Sequence, residues 1–192
     1  VHFGKKHMDT VPYEKIWDIR LQLAVWNALL ASFSFMGAIR TVPHLIYLVT
    51  SLPFEGTVCQ SPADGWGNGA TGLWVQLFIF SKIPELWDTF YIIARKRPLL
   101  LLHWYHHVTV LLYCWHAYAT EAPQALYFVA MNYTVHAIMY TYYCLMALKI
   151  KPPLPPWMIT VLQISQMIVG TFIQGSSMYL YYKGTSYRGT PC

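Results

Sequence analysis

Charge is what this sequence has least of: only 11% of its 192 residues are Asp, Glu, Lys or Arg. A water-soluble domain of this length carries roughly twice that share, so a soluble enzyme is excluded. Repeats and low-complexity tracts are also missing. The net charge of +5 is spread over short loops without a basic tail. That scatter excludes a nucleic-acid surface and suits membrane topology together with a rim for an anionic ligand. The first residues, Val1-His2-Phe3-Gly4-Lys5-Lys6, lack an initiator Met and any signal-peptide pattern. Arg188-Gly-Thr-Pro-Cys192 resembles no targeting tail. Both ends read as cut, and a piece of a longer chain is expected.

What the sequence has in abundance is apolar and aromatic. Hydrophobic residues make up 56% and aromatics 17%, with 8 Trp and 15 Tyr, as expected where rings sit at membrane interfaces. The expected class is all-α, a polytopic membrane protein. A bilayer crossing needs about 20 apolar residues, and five segments qualify: 21–50, 72–94, 99–119, 123–148 and 156–182. The breaks between them are marked by Gly and Pro between residues 53 and 72, by the basic turn Arg95-Lys96-Arg97-Pro98, by Glu121-Ala-Pro123, and by Lys149-Ile-Lys-Pro-Pro-Leu-Pro-Pro156. Lys5, Lys6, Lys15, Arg20, Arg95, Lys96, Arg97, Lys149 and Lys151 fall on one side and only Lys183 and Arg188 on the other, which makes the first side cytosolic. Arg40 and Lys82 lie within spans, and a structural role is expected for Arg40.

Imidazoles are costly inside a bilayer, yet His103-Trp-Tyr-His106-His107 places three of them near the start of one span. At helical spacing, positions i, i+3 and i+4 share a face. The span before it carries Lys82, Glu85, Asp88 and Thr89 within an arc of about 120° on a continuous helix, with Lys82 placed to neutralise Glu85. The span after it carries Asn132, His136, Met139, Tyr140 and Tyr143 on one face, and the last carries Thr160, Gln163 and Gln166. Alternating helix directions put all these groups near one depth, so they are expected to line one cavity opening to the cytosol. The opposite, more apolar halves leave room for a lipid tail. Asn132-Tyr-Thr134 matches a glycosylation sequon but lies within a span, and His44 and His116 read as interfacial histidines.

An HxxHH box in a membrane first suggests a di-iron desaturase or hydroxylase. Such enzymes supply about eight histidines from several boxes. Of the 8 histidines here, His2 and His7 lie in the leading loop and His44 and His116 stand alone. A dinuclear oxidase is therefore poorly supported, while a mononuclear zinc site stays open on the count. A non-enzymatic lipid transporter with a polar cavity also stays open. The same histidines suit acyl chemistry: one imidazole attacks a thioester, another acts as base, and amide or phenol donors hold an oxyanion. Cys59 and Cys192 fall in loops on the same luminal side, which makes them the candidate disulfide. Cys114 and Cys144 lie in spans and are expected to be packed.

The ordered motifs Lys82-Ile-Pro-Glu85-Leu-Trp-Asp88-Thr89, His103-Trp-Tyr-His106-His107, Asn132-Tyr-Thr-Val-His136-Ala-Ile-Met139-Tyr140-Thr-Tyr142-Tyr143 and Thr160-Val-Leu-Gln163-Ile-Ser-Gln166 resemble those of the very-long-chain fatty acid elongase (ELO) family. These are membrane 3-ketoacyl-CoA synthases, and the likeness covers nearly the whole chain. The Trp-Tyr filling of the box and Gly37-Ala-Ile-Arg40 look like the branch acting on saturated and monounsaturated chains. The resemblance implies condensation of acyl-CoA with malonyl-CoA at the cytosolic face of the endoplasmic reticulum, giving a 3-oxoacyl-CoA two carbons longer, CoA and CO2. It also implies a seven-span helical barrel, of which five spans are visible here.

The implied roles are an acyl-accepting His106, a His136 that positions malonyl-CoA or moves a proton, and orienting His103 and His107. Asn132, Tyr140, Tyr143, Gln163 and Gln166 would contact substrate, Lys82, Glu85 and Asp88 would set the local field, and Arg95 and Arg97 would hold CoA phosphates. No metal or other cofactor is expected beyond the two CoA substrates. The expected partners are the bilayer, the other enzymes of the elongation cycle and a second copy of the chain.

Overall fold

The computed structural model describes residues 19–98 and 101–192. It is built of helices: α1 (Arg20–Ser51), α2 (Phe54–Cys59), α3 (Gly69–Ser81), a 3-10 turn (Pro84–Leu86), α4 (Trp87–Ala94), α5 (Leu101–Ala119), α6 (Ala125–Ala147) and α7 (Pro156–Tyr182). A two-residue antiparallel ladder, β1 (Ser186–Tyr187) with β2 (Thr190–Pro191), closes the chain. The class is all-α. Lys5, Lys6 and Lys15 of the expected cytosolic cluster lie outside the described residues.

One expected span is broken. Residues 72–94 do not form a continuous helix but pass from α3 to α4 through the 3-10 turn. Pro84 has no N–H and its ring crowds the preceding turn. The backbone tightens instead, with the Lys82 amide bonding Ile79 O at 3.3 Å, Ile83 bonding Phe80 O at 3.2 Å and Leu86 bonding Ile83 O at 3.1 Å. Three residues per turn in place of 3.6 shift the angular positions that follow. Lys82, Glu85 and Asp88 still line one cavity, but Asp88 and Thr89 stand at the start of a separate helix, α4. The Gly/Pro-marked break after residue 53 also holds a short helix, α2, which the sequence pattern did not indicate.

The central packing joins α1, α3 and α6 around Tyr133. Its ring is 1% exposed and stands edge-on to Phe33 and Phe78, at centroid distances of 5.6 and 5.1 Å. Its hydroxyl donates to the Trp74 carbonyl at 2.9 Å. The ring lies directly over Gly37, where a Cβ would collide with it. A residue larger than Gly at that point would push α1 off α6.

The exterior is apolar. On α7, Trp157, Val161, Ile164, Ile168 and Phe172 recur at helical spacing and are all more than half exposed. On α1, Leu21, Val25 and Leu29 do the same. α1 and α7 are each long and apolar enough to cross a membrane. α5, of 19 residues, and α6, of 23, are also of about spanning length. Outward apolar rows on helices of spanning length mark a membrane protein.

The two ends of the bundle differ. At one, Cys59 and Cys192 are joined through their sulfurs with Cα atoms 4.4 Å apart, and Trp66 Nε1 donates to the Pro123 carbonyl at 2.9 Å. His44, which the sequence left without a polar partner, contacts Gly65 O at 3.1 Å there. Cys114 is a buried free thiol and Cys144 a half-buried one. Arg40 is exposed on α1.

Because Tyr133 is pinned by its hydroxyl and by neighbouring rings, Gly37→Val is expected to destabilise the protein by about 1–3 kcal/mol, as overpacking does. A lowered thermal midpoint in detergent, with Gly175→Ala at an open position as the control, is the measurement that checks this.

Candidate functional site

The end opposite the disulfide contains a cavity of about 560 Å³. It collects side chains from the start of α1, the 3-10 turn, α4, the start of α5, the second half of α6 and Gln163 of α7. His103, His106, His107 and His136 all line it, as do Lys82, Glu85, Asp88, Asn132, Tyr140, Tyr143, Gln163, Arg95 and Arg97. Gln166, expected beside Gln163, does not line the cavity, and its buried Oε1 has no hydrogen-bond partner among the described residues. Successive positions three apart on a helix differ by about 60° in direction, which is enough to turn Gln166 away. Lys149 and Lys151 do not line the cavity either; Met146 and Ala147 do.

The Arg95–Pro98 turn owes its form to the end of α4. Lys96 takes a left-handed backbone with φ 51°, and the Arg97 amide bonds Ile92 O at 3.0 Å, which closes the helix. The chain turns there with both Arg95 and Arg97 at the cavity.

Lys82 and Glu85 form the charged centre, with side chains only 4% and 7% exposed. The ammonium donates to Glu85 Oε1 at 2.8 Å and Oε2 at 3.0 Å, and to Asn132 Oδ1 at 3.1 Å. It also lies 4.0 Å from the Phe78 ring centroid. Ser81 Oγ lies 3.1 Å from Glu85 Oε1. A buried ion pair is tolerated when its remaining bonding capacity is filled in this way. Asn132 Nδ2 in turn lies 3.2 Å from His136 Nε2.

Asp88 belongs to a second node. Trp26 Nε1 donates to its Oδ1 and the Tyr140 hydroxyl to its Oδ2, both at 2.7 Å. The carboxylate is thus held by neutral donors, not by the ammonium. The next residue, Thr89, reaches His103 Nε2 with its hydroxyl at 3.2 Å, so α4 is tied through adjacent residues to α1, α6 and α5. Within the box, the rings of His103 and His107 are 4.5 Å apart and those of His106 and His107 5.9 Å. His136 stands edge-on to Tyr140 at 5.3 Å.

The contribution of α1 was not visible in the sequence. Leu23 and Asn27 line the cavity, and Trp26 grips Asp88. Asn27, a carboxamide in an apolar run, was a usable signal. Trp26 was indistinguishable from an interfacial tryptophan.

Among the described residues, no three His, Cys, Asp or Glu groups stand where they would share one metal ion. The arrangement offers imidazole nitrogens, a compensated buried charge pair, amide and phenol donors, and two guanidinium groups at one opening. These suit nucleophilic and proton-transfer chemistry on an anionic substrate.

Comparison with known proteins agrees with the motifs. The model of the ELO family, described as the GNS1/SUR4 family, matches residues 1–192. This chain belongs to the ELO family. It is 43% identical over 189 residues to very long chain fatty acid elongase 6 of Drosophila melanogaster, covering 97% of this chain and 58% of that one. The putative fatty acid elongase 3 of Caenorhabditis elegans is 42% identical over 179 residues, covering 92% and 54%. Very long chain fatty acid elongase 6 of Homo sapiens is 39% identical over 173 residues, covering 89% and 63%. This ELO-family chain thus spans little more than half the length of such relatives. No solved structure matches it.

In this family member the Lys82–Glu85 pair makes a direct stability test possible. Lys82→Met, which strands the buried carboxylate, is expected to cost about 3–5 kcal/mol, whereas Lys82→Met with Glu85→Leu should recover most of the loss. Chemical denaturation in detergent compares the two; equal destabilisation would show that the charges themselves do not matter.

Proposed function

We propose that this chain carries the condensing site of very-long-chain fatty acid elongation, joining a long-chain acyl-CoA to malonyl-CoA. The observation that carries the reading is the convergence of His103, His106, His107 and His136 with the Lys82–Glu85 pair on one cavity that Arg95 and Arg97 also line. Membership of a family whose relatives are named fatty acid elongases supports it.

The reaction runs in two halves. A nitrogen of neutral His106 attacks the thioester carbonyl; the C–S bond breaks, CoA leaves as the thiol after taking up a proton, and an acyl-imidazole remains. Malonyl-CoA then loses CO2, and the electron pair of the broken C–C bond passes into the enolate of its thioester. The enolate carbon attacks the acyl carbon, the C–N bond breaks, and a 3-oxoacyl-CoA two carbons longer departs. His103 and His107 orient the box. His136 acts on the enolate or on its proton, and Tyr140, Tyr143 and Gln163 line the same space.

A small apolar cavity of about 20 Å³ lies one helical turn further along α3, α5 and α6, bounded by Phe78, Cys114 and Val129. An acyl tail running toward the disulfide end is the proposed arrangement. Saturated and monounsaturated chains are the proposed substrates. The proposed setting is a seven-span barrel in the endoplasmic reticulum, with the basic end cytosolic and the disulfide end luminal. Its proposed associates are the other enzymes of the elongation cycle and a second copy of the chain. No metal or additional cofactor enters this scheme.

Full-length protein supplied with labelled malonyl-CoA and a panel of acyl-CoAs should release CO2 only when both are present. His106→Ala should abolish CoA release from acyl-CoA alone. Wild-type CoA release by that variant would dismiss His106 as the nucleophile, and a stoichiometric iron content with no CO2 release would favour an oxidase.

Replacing Arg95 and Arg97 with Gln is expected to raise the acyl-CoA KM about tenfold or more, since each charge-assisted phosphate contact contributes on the order of 1.5–3 kcal/mol before solvent screening. Steady-state kinetics on correctly inserted protein reads this directly, and an unchanged KM counts against phosphate binding there.

A further inference from the structure

The hydrogen-bond chain that starts at Glu85 has a direction, and that direction reaches a histidine. The Lys82 ammonium has three donors and no acceptor. It therefore contacts Asn132 through the amide oxygen, as the 3.1 Å Nζ–Oδ1 distance records. The Asn132 amide group must then face the other way, and its Nδ2 lies 3.2 Å from His136 Nε2. An amide nitrogen only donates, so Nε2 has to accept. A neutral imidazole that accepts at Nε2 carries its proton on Nδ1.

We infer that Asn132 is a positioning residue that, under the Lys82–Glu85 pair, holds His136 as the Nδ1–H tautomer and makes it a hydrogen-bond donor toward the cavity. Both ends of the Asn132 amide are engaged, so its first role is toward His136 and not toward a substrate carbonyl. Nε2 is the ring nitrogen that Asn132 engages, and His136 lines the cavity. The edge-on Tyr140 ring at 5.3 Å helps set the plane of the imidazole.

A histidine held in this way is poorly placed to take a proton through Nε2 and well placed to donate one hydrogen bond through Nδ1. Resting on the condensing reading, this assigns His136 to holding the negative oxygen that develops on the enolate or at the acyl carbonyl. Acyl transfer is left to the box on α5. The ammonium matters twice: it compensates Glu85 and it orients the amide. Hydrogen-bonded partners that fix the tautomer of a functional histidine act in the same manner around metals.

The test is nitrogen NMR of isotope-labelled histidine in the full-length protein at about pH 8, above the ordinary histidine range. His136 is assigned by comparison with His136→Gln. The expected result is a protonated Nδ1 and a bare Nε2; a protonated Nε2 in the wild type overturns the proposal. Asn132→Asp places an acceptor opposite Nε2 and is expected to move a proton onto it. That variant should also lower malonyl-CoA-dependent CO2 release about a hundredfold, the scale of losing one oxyanion donor. An unchanged His136 spectrum in folded Asn132→Asp overturns the relay, whatever its activity. The Nδ1–H tautomer in a protein without any condensing activity upholds the relay and removes the condensing reading instead.

Discussion

Lys82 and Glu85 sit at the point where α3 gives way to α4, with almost no exposure to solvent, and much of the functional end of the molecule is arranged around them. Two charges at that depth are costly unless each finds its partner and its remaining bonds are filled. Ser81, Asn132 and the Phe78 ring complete those shells. Proline 84 supplies the geometry, because the tightened backbone that it forces brings residues three apart into register. The ion pair therefore sits directly at the break.

From this centre two chains of contacts run outward. One passes through Asn132 to His136 on the same helix, α6. The other begins at Asp88, where Trp26 and Tyr140 bind the carboxylate, and continues through Thr89 to His103. The two arms reach histidines on two different helices, α6 and α5, and each arm is held by residues of helices and not of loops. Residues that must meet a reacting atom are best carried on such rigid elements. The Tyr133–Gly37 contact has the same consequence at longer range, since it sets how closely α1 approaches α6 and thus where Trp26 lies.

The molecule also divides into unlike ends. Polar and basic groups gather at one, together with the cavity; the other carries the Cys59–Cys192 bond and backbone-directed contacts from His44 and Trp66. Between them the interior is apolar and aromatic. The cavity takes Arg95 and Arg97 into its lining together with the apolar Val110 and Met139. The same polarity, with an apolar exterior on α1 and α7, is what a bilayer demands of the fold.

Periodicity and composition were enough to read the long apolar helices and to single out the polar side chains that the cavity collects, while Leu23, Tyr91 and Val110 of its lining gave no such sign. Apolar runs of spanning length can be little else, and buried histidines and carboxylates recurring at helical spacing must face inward. The motifs were enough to reach the family, because four of them in order leave few alternatives. Tertiary structure decided what periodicity cannot carry. The helix break at Pro84 divided one expected span into α3 and α4, which an ideal period of 3.6 does not anticipate. Trp26 found Asp88 across 62 residues of sequence, and Gln166 turned away from the cavity that Gln163 joins. The direction of each hydrogen bond, down to which nitrogen of His136 is held, depends on donors and acceptors meeting in space, and no spacing along the chain encodes that.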